Sequence, residues 1–239
     1  MKKISVIVPV LNEEAALPRF LAHLKDFQGV EIVIVDGGSV DRTPSLLQAW
    51  ASFPERVVLL SERGERGRAR QMNAGAKRAA GDVFLFLHVD SLLPRKGVEA
   101  IIDALKSPGI VGGAFRFKVD SRHLLLRIIE KMAHLRSRLF KLPYGDQGIF
   151  VRREVFETLQ GYADLPLMED VDFIRRLRRA GRVALLQEAV TTSPRRWLRE
   201  GIYYTSVRNL VLLSLYLMGI SPRRLARWYR SEEEEARGD

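Results

Sequence analysis

The hydrophobic pattern in the N-terminal part of the chain alternates between two periods. Nearly continuous apolar runs occur at Ile4–Val8, Glu31–Val35, Val57–Leu60 and Val83–Leu87. Such runs are typical of parallel strands buried on both faces. The segments between them place apolar residues on one helical face, as in Leu17–Leu24. Strands that alternate with helices predict a Rossmann-like α/β domain with a mostly parallel, doubly wound sheet.

The pattern is less regular after Pro94. It predicts helices at 96–106, 121–140 and 170–180 and strands at 112–119, 149–151 and 183–186, with 112–119 alternating like a half-exposed strand. Residues 201–219 are strongly apolar, and the acidic residues 232–239 are expected to form a frayed tail. No repeat or linker-like segment interrupts the chain. We expect one domain over residues 1–197, followed by a C-terminal helical extension with an acidic tail over 198–239.

The net charge narrows the choice of partner. The 239 residues include 39 Lys and Arg against 29 Asp and Glu, which gives a formal charge of +10. This charge favours nucleotides, nucleic acid or an acidic membrane face, although a basic solvated surface is an equally simple explanation. Because the arginines are scattered and no groove-reading motif is present, we do not expect a nucleic-acid partner.

Two features of the sequence bear on the cellular compartment. The chain has no cysteine, which excludes disulfides, thiolate chemistry and cysteine-ligated zinc. Pro9 interrupts the first apolar run too early for the core of a signal peptide. We therefore expect a cytoplasmic protein.

Carboxylates follow two of the predicted strands at the edge where α/β sheets bind ligands. Asp36 follows the second strand and Asp90 follows the fourth. Asp36 is interpreted either as a contact to a base or ribose or as a turn residue bonded to its own backbone. The first turn, Pro9–Glu14, lacks the glycines of a dinucleotide site. In that turn Asn12 and Glu13 also fit a helix cap with a first-turn acid.

A segment rich in arginine and glycine, Arg63–Asn73, leads into the third predicted helix. Backbone N–H groups, guanidinium groups and a helix N-terminus together suit a diphosphate. Arg68, Gln71 and Gly75 lie near one face of that helix. The simpler interpretation is a solvated basic loop.

Two acidic motifs are candidates for metal binding and proton transfer. His88 and Asp90 occupy alternate positions of an extended segment, so both can face one crevice. Mg²⁺ uses one or two carboxylates plus substrate phosphates, and manganese also accepts imidazole, so the pair predicts a site for Mn²⁺ or Mg²⁺. A partly buried histidine and a turn-capping aspartate would give the same pattern. Glu169 and Asp170 begin a predicted helix, which suits either the helix dipole or a general base.

The order of these motifs resembles glycosyltransferase family 2, the inverting, nucleotide-sugar-dependent group with the A-type fold. The resemblance runs from about Lys3 to Trp197, and the segments that carry it are Val6–Glu14, Ile34–Asp41, Arg68–Gly75, Leu87–Asp90 and Glu169–Asp170. A small bacterial subgroup, associated with radical-SAM and selenium-related proteins, is the most similar. It shares His88-Val89-Asp90, Tyr144–Gly148 and Ser193–Trp197.

The resemblance implies a role for each motif in a metal-dependent transfer from a nucleotide-sugar, with a UDP-sugar favoured, to an unidentified hydroxyl. Asp36 would contact the base, Asp90 with His88 would hold the metal, and Asp170 beside Glu169 would be the catalytic base. The other expected substrate contacts are Pro9, Val10, Asn12, Glu13, Gly37, Arg66, Arg68, Gln71, Asn73, Asp146, Gln147, Arg195, Arg196 and Trp197. His88 replaces the first aspartate of the family's metal motif, which weakens a site for a hard cation.

Other activities and partners remain open at this point. A nucleotidyltransferase would need a first turn rich in glycine and lysine, which Val10–Glu14 is not. A non-catalytic nucleotide- or membrane-binding module of the same fold would bind without turnover. The apolar run Leu210–Ile220 is shorter than the ~20 residues that a membrane span needs. One interpretation is an interfacial helix at the inner face of a membrane, which the helix at 121–140 could join and which would suit a lipid-linked acceptor. The other is a helix in the core or at a homodimer interface.

Overall fold

A computed structural model of the protein describes residues 3–51, 56–60 and 67–235, and all elements below belong to these ranges. The strands are β1 (Ile4–Val10), β2 (Val30–Asp36), β3 (Arg56–Leu60), β4 (Val83–Phe86), β5 (Ser91–Leu92), β6 (Ile110–Val119), β7 (Ile149–Arg152) and β8 (Arg182–Thr192). The helices are α1 (Leu17–Leu24), α2 (Thr43–Ala51), α3 (Arg68–Arg78), α4 (Gly97–Lys106), α5 (Leu124–Phe140), α6 (Arg153–Thr158), α7 (Glu169–Ala180), α8 (Arg195–Glu200), α9 (Ile202–Leu217) and α10 (Pro222–Glu235). A short 3₁₀ turn spans Gly145–Gln147.

The strands form one sheet in the order β3-β2-β1-β4-β7-β6-β8-β5. The pairs β2–β3, β1–β2 and β1–β4 are parallel, as the alternation of strands and helices predicts. β7 then runs antiparallel to both β4 and β6, while β6 and β8 are parallel to each other. The predicted α/β fold is confirmed, and the sheet is mixed because β7 reverses direction at its centre.

Helices cover both faces of the sheet, which explains the continuous apolar runs. Along β1, Val6 and Val8 belong to the core on the side of α1, α2 and α4, whereas Ile7 belongs to the core on the side of α3 and α7. Successive side chains of a strand point to opposite faces, so a strand covered twice needs apolar residues at every position.

Close packing places α3 directly over β1 and β2. A methyl group at Gly75 would come within 2.6 Å of a methyl carbon of Ile7 and 3.1 Å of one of Val35. The helix can approach this closely only because residue 75 has no side chain. This approach fixes where Arg68, the first residue of α3, lies relative to the strand ends.

Two expectations about the second half of the chain are wrong. The strand expected to be half-exposed over 112–119 is buried at most positions of β6, because α4, α5 and α7 all pack against it. The acidic end is helical as far as Glu235 rather than frayed from residue 232, and the rest of the expected tail, 236–239, lies outside the described residues.

Candidate active site

A cavity of about 510 Å³ opens at the carboxyl ends of β1 and β4. Its polar wall contains Arg68, His88, Asp90, Tyr144, Asp146, Glu169, Asp170, Ser193, Arg196 and Asn209. The predicted metal motif, the predicted base and part of the late Arg-Trp element therefore surround one space. The location agrees with the rule that open α/β sheets bind ligands outside the carboxyl ends of their strands.

Asp170 is held in place at the start of α7. Its Oδ2 accepts a hydrogen bond of 2.6 Å from the backbone N–H of Gly145, and its Oδ1 accepts one of 2.7 Å from the N–H of Val171. Met168, the residue immediately before α7, has φ +65°, a conformation that costs a non-glycine residue about 1 kcal/mol or more. The carboxylate is thus oriented by backbone N–H groups from two elements while it lines the cavity.

The glycine at position 145 leaves room for the side chains of His88 and Asp170. A methyl group there would come within 3.2 Å of Nε2 of His88 and 3.3 Å of Oδ2 of Asp170. These separations are shorter than ordinary van der Waals contact. Any side chain at 145 would therefore push the imidazole or the carboxylate away from its place.

The ionisation of Asp146 is opposed by its burial and by neighbouring carboxylates. Burial raises the pKa of Asp146 to about 7, the charges of Asp170 and Asp90 act in the same direction, and Arg136 and Arg68 oppose them. Burial likewise raises the pKa of Glu13, with a further contribution from Asp90. The cavity thus carries a concentration of negative charge that a bound cation would relieve.

Glu169 is buried and serves the site through Arg68. Nη1 of Arg68 lies 3.5 Å from Oε1 of Glu169. Burial raises the pKa of Glu169, Arg68 lowers it and the neighbouring Asp170 raises it. Glu169 therefore joins the start of α7 to the start of α3, and Arg68 stands half-exposed at the cavity.

The donor groups of His88 and Asp90 fit a divalent cation that also binds substrate. Burial lowers the pKa of His88 well below its usual value, as does Arg68, so the imidazole is neutral near pH 7 and its nitrogen is free to coordinate. Within residues 3–51 and 67–229, no three His, Asp or Glu side chains are grouped closely enough to hold a metal by themselves. An ion bound by this pair would need further ligands, such as phosphate oxygens and water.

The polar residues around the end of β2 form a hydrogen-bonded turn. Asp36 is buried, and its carboxylate accepts bonds from the N–H of Ser39 at 3.1 Å and from its hydroxyl at 2.5 Å. Asn12, at φ +53°, accepts a bond from the N–H of Val40. These contacts agree with the interpretation of Asp36 as a turn residue. Its contact with the base of a nucleotide remains a prediction.

Three other predicted substrate residues make internal hydrogen bonds through their side chains. The amide nitrogen of Gln71 donates to the carbonyls of Val10 and Val35, at 2.7 and 2.8 Å. Asn73 exchanges two hydrogen bonds with the backbone of Tyr162. Gln147 is fully buried and donates to the carbonyl of Phe115, while Pro9 and Val10 are buried in β1. A methyl group at Gly37 would come within 2.9 Å of Nε2 of Gln71, so this glycine makes room for that amide. Arg66 lies outside the described residues.

The late Arg-Trp element forms one wall. Arg195 donates to Glu13 at 2.8 Å, joining α8 to the turn after β1. The Arg196 guanidinium lies 5.1 Å from the ring centre of Tyr229. Trp197 packs against Phe117, and its indole N–H has no hydrogen-bond partner in the part of the chain that the structure describes.

Sequence reasoning missed several groups at the cavity. The Arg136 guanidinium stacks 3.4 Å from the ring centre of Tyr144, and burial raises the pKa of that phenol to about 12. The loop Leu165–Met168 and the helices α9 and α10, through Asn209 and Tyr229, complete the wall. Tyr144 belongs to a segment that the resemblance includes, but nothing local in the sequence marks the others, because tertiary packing brings them to the cavity.

Comparison with known proteins identifies the family. The sequence matches the model described as Glycosyl transferase family 2 over residues 5–160. An undecaprenyl-phosphate 4-deoxy-4-formamido-L-arabinose transferase of Pectobacterium carotovorum is 31% identical over 170 residues, which are 66% of this chain and 51% of that protein. A dolichol-phosphate mannosyltransferase of Pyrococcus furiosus is 30% identical over 172 residues, which are 66% of this chain and 48% of that protein. The chain spans about half the length of these relatives.

Solved structures show the same fold. The mannosyltransferase PcManGT from Pyrobaculum calidifontis, in complex with GDP-Man and Mn²⁺, has a TM-score of 0.60 at 23% identity, covering 79% of this chain and 57% of its own. S. aureus TarS 1–349 has a TM-score of 0.61 at 19% identity, covering 93% of this chain and 68% of its own. With the sheet described above and a family match over well over half of its length, the chain belongs to glycosyltransferase family 2.

Proposed function

We propose that the protein transfers a sugar, with inversion, from a nucleoside-diphosphate donor to an acceptor hydroxyl on a lipid-linked molecule. The observation that carries the proposal is Asp170, whose carboxylate lines the cavity while two backbone N–H groups orient it. It shares that cavity with His88 and Asp90. An oriented base beside a site suited to a diphosphate is what a single displacement at an anomeric carbon requires.

The residues of the cavity divide the work of that displacement. Asp170 takes the proton of the acceptor hydroxyl while the hydroxyl oxygen bonds to the anomeric carbon. At the same time, the bond between that carbon and the donor diphosphate breaks. Arg68 faces the charge that develops on the leaving diphosphate. Asp90 and His88 would hold Mn²⁺ or Mg²⁺, which when bound neutralises part of that charge. Glu169 keeps Arg68 in position.

The finer identity of the substrates rests on resemblance. Relatives named for undecaprenyl phosphate, bactoprenol and dolichol phosphate support a polyprenyl-linked acceptor. We favour a UDP-sugar, and solved structures with a similar fold hold UDP-GlcNAc or GDP-Man. The variant motif His88-Val89-Asp90, with Ser193–Trp197, supports the subgroup associated with radical-SAM and selenium-related proteins.

A lipid-linked acceptor would place the protein at a membrane surface. Over the described residues the helices are too short or too polar to cross a bilayer. α9 nevertheless exposes Tyr203, Leu210 and Leu217. We propose that the protein works at the inner face of the membrane without spanning it.

The test measures release of UDP or GDP from UDP-glucose, UDP-GlcNAc and GDP-mannose, with Mn²⁺ and with undecaprenyl phosphate, undecaprenol or water as acceptor. Asp170→Asn keeps the shape of the side chain but removes its basicity, so turnover should fall 10²- to 10⁴-fold. The matched control is Asp164→Asn, which alters an exposed ion pair with Arg70 and should leave turnover unchanged.

Two results would contradict the proposal. One is turnover that survives Asp170→Asn, since another group would then be the base. The other is nucleotide binding by the wild type without release from any donor, which would support the non-catalytic module instead.

A further inference from the structure

The helix α5 exposes an apolar row to solvent. Six of its apolar side chains are between 49% and 79% exposed, namely Leu124, Leu125, Ile128, Met132, Leu135 and Leu139. At 3.6 residues per turn these six fall within an arc of about 100°. The buried residues of α5, Leu126, Ala133 and Ser137, occupy the opposite side and pack towards the body of the protein. The row is therefore not part of the core.

A row of basic residues follows one edge of the apolar row. Lys131, His134 and Arg138 recur at spacings of three and four residues, so they occupy neighbouring positions on the helix, and Lys141 follows directly after its last residue. A helix with an apolar face and a basic flank is the kind that lies in the surface of an anionic bilayer.

The basic row continues into a second cavity, of about 420 Å³, between the end of α5 and β8. His134, Arg138 and Lys141 line it together with residues 183–187, and the described lining includes no carboxylate. Burial lowers the pKa of His134, and the charges of Arg116 and Arg138 add to this effect. Nδ1 of His134 is buried with no hydrogen-bond partner among the residues that the structure describes.

The cations around this cavity are not neutralised by the protein. Within the described ranges 3–51 and 67–229, Arg116, Arg138 and Lys141 form no ion pair. Unpaired arginine and lysine beside a concave space form a site for a phosphate group, which guanidinium binds with two parallel hydrogen bonds.

We propose that α5 lies in the surface of an anionic membrane and that this cavity binds the phosphate group of a lipid headgroup. The lining cations stand next to the apolar row on the same helix, so a lipid with its phosphate in the cavity would have its chains beside that row. The exposed side of α9, which contacts α5, extends the apolar surface through Val207, Leu210 and Val211. The site is separate from the cavity that contains Asp170, and its test needs no sugar donor.

Co-sedimentation with vesicles tests the proposal. The wild type should bind vesicles of phosphatidylcholine mixed with phosphatidylglycerol more tightly than vesicles of phosphatidylcholine alone. The double variant Arg138→Gln, Lys141→Gln should weaken binding to the mixed vesicles about thirty-fold, since each cation at an anionic surface contributes about fivefold. The matched control Lys77→Gln, Arg78→Gln removes the same charge from the exposed side of α3 and should weaken binding less than about threefold.

A second pair of variants tests the apolar row. Ile128 and Leu135 are 52% and 55% exposed, so changing both to serine should leave folding intact. Vesicle binding should fall at least tenfold, because two large apolar side chains no longer enter the bilayer. The control is Val40→Ser, which changes a side chain that is 85% exposed and lies outside α5. It should leave vesicle binding unchanged.

Three results would overturn the proposal. Equal losses for the α5 and α3 charge variants would mean that general charge attracts the protein to vesicles. A free phosphate would be the ligand of the cavity if inorganic phosphate raised the melting temperature of the wild type but not of the double variant Arg138→Gln, Lys141→Gln, and if neither protein bound vesicles. If sedimentation velocity shows a dimer that Ile128→Ser, Leu135→Ser dissociates, without vesicle binding, a second copy covers α5.

Discussion

Two groups of polar residues lie at the carboxyl ends of the strands. In one group hydrogen bonds hold the backbone in place, and in the other the carboxylates repel one another. Around the end of β2, Asp36 accepts bonds from Ser39, and the amide of Gln71 joins the carbonyls of Val10 and Val35. These contacts hold the backbone of the turn in one shape. A ligand on this side would meet a surface that is already formed.

Around the start of α7 the carboxylates are close enough to disturb one another. Burial raises the pKa of Asp146 to about 7, with Asp170 and Asp90 adding to the effect. Arg68 is the cation that faces all three, and it is tied to Glu169. This second group stores repulsion that a metal ion or a proton relieves. The difference suggests that the first group frames the site and the second performs the chemistry.

The largest effect that separates the two groups should appear in the pH dependence of stability. The pKa of Asp146 is higher in the folded protein, at about 7, than its ordinary value of 3.8. Folding then favours the protonated form, and the stability that this proton supports is lost as the pH rises from about 4 through 7. Asp146→Asn removes the penalty, so its gain in the free energy of unfolding over wild type should grow by about 2 kcal/mol between pH 5 and pH 8.

Urea unfolding in metal-free buffer at both pH values measures that gain. Asp26→Asn, at an exposed position on the loop after α1, is the matched control and should show the same difference from wild type at both pH values. A constant difference for Asp146→Asn as well would mean that this carboxyl ionises normally in the folded protein.

The next effect concerns the framing group. Gln71→Leu keeps the approximate size of the side chain but removes the donor shared by two carbonyls. Leaving buried acceptors short of a partner should lower the free energy of unfolding by about 1 to 2 kcal/mol. The same substitution at the exposed Gln48 of α2 should change it by less than about 0.5 kcal/mol. Similar losses at both positions would show that the amide does not hold the turn.

The smallest effect tests the arrangement of the reactive group. Gly145→Ala adds a methyl group 3.2 Å from His88 and 3.3 Å from Asp170, so one of them has to move by a few tenths of an ångström. We expect turnover to fall about tenfold, because small displacements of catalytic groups are costly. Gly97→Ala, in α4, adds a methyl group 2.8 Å from Leu93, which does not line the cavity, and should leave turnover unchanged. Full activity of Gly145→Ala would mean that the pair has room to adjust.

The sequence allowed the parallel half of the sheet to be predicted, because β1, β2 and β4 are covered on both faces and need apolar residues throughout. Asp36 and Asp90 could be placed at the strand ends for the same reason. The burial of β6 could not be predicted, since its glycines and arginine mimic the alternation of an exposed strand. The stacking of Arg136 on Tyr144 depends on how α5 meets the 3₁₀ turn, which no local pattern records.

The most direct test of the account is calorimetric titration with UDP and GDP, in Mn²⁺ or in EDTA, of wild type, Asp90→Ala and the exposed control Asp103→Ala. The account predicts that the wild type and the control bind one of the nucleotides in Mn²⁺ and lose that binding in EDTA. It also predicts that Asp90→Ala does not bind in either buffer. Binding of equal strength in all three proteins, or no binding by the wild type, would contradict a metal-bridged donor site at the ends of β1 and β4.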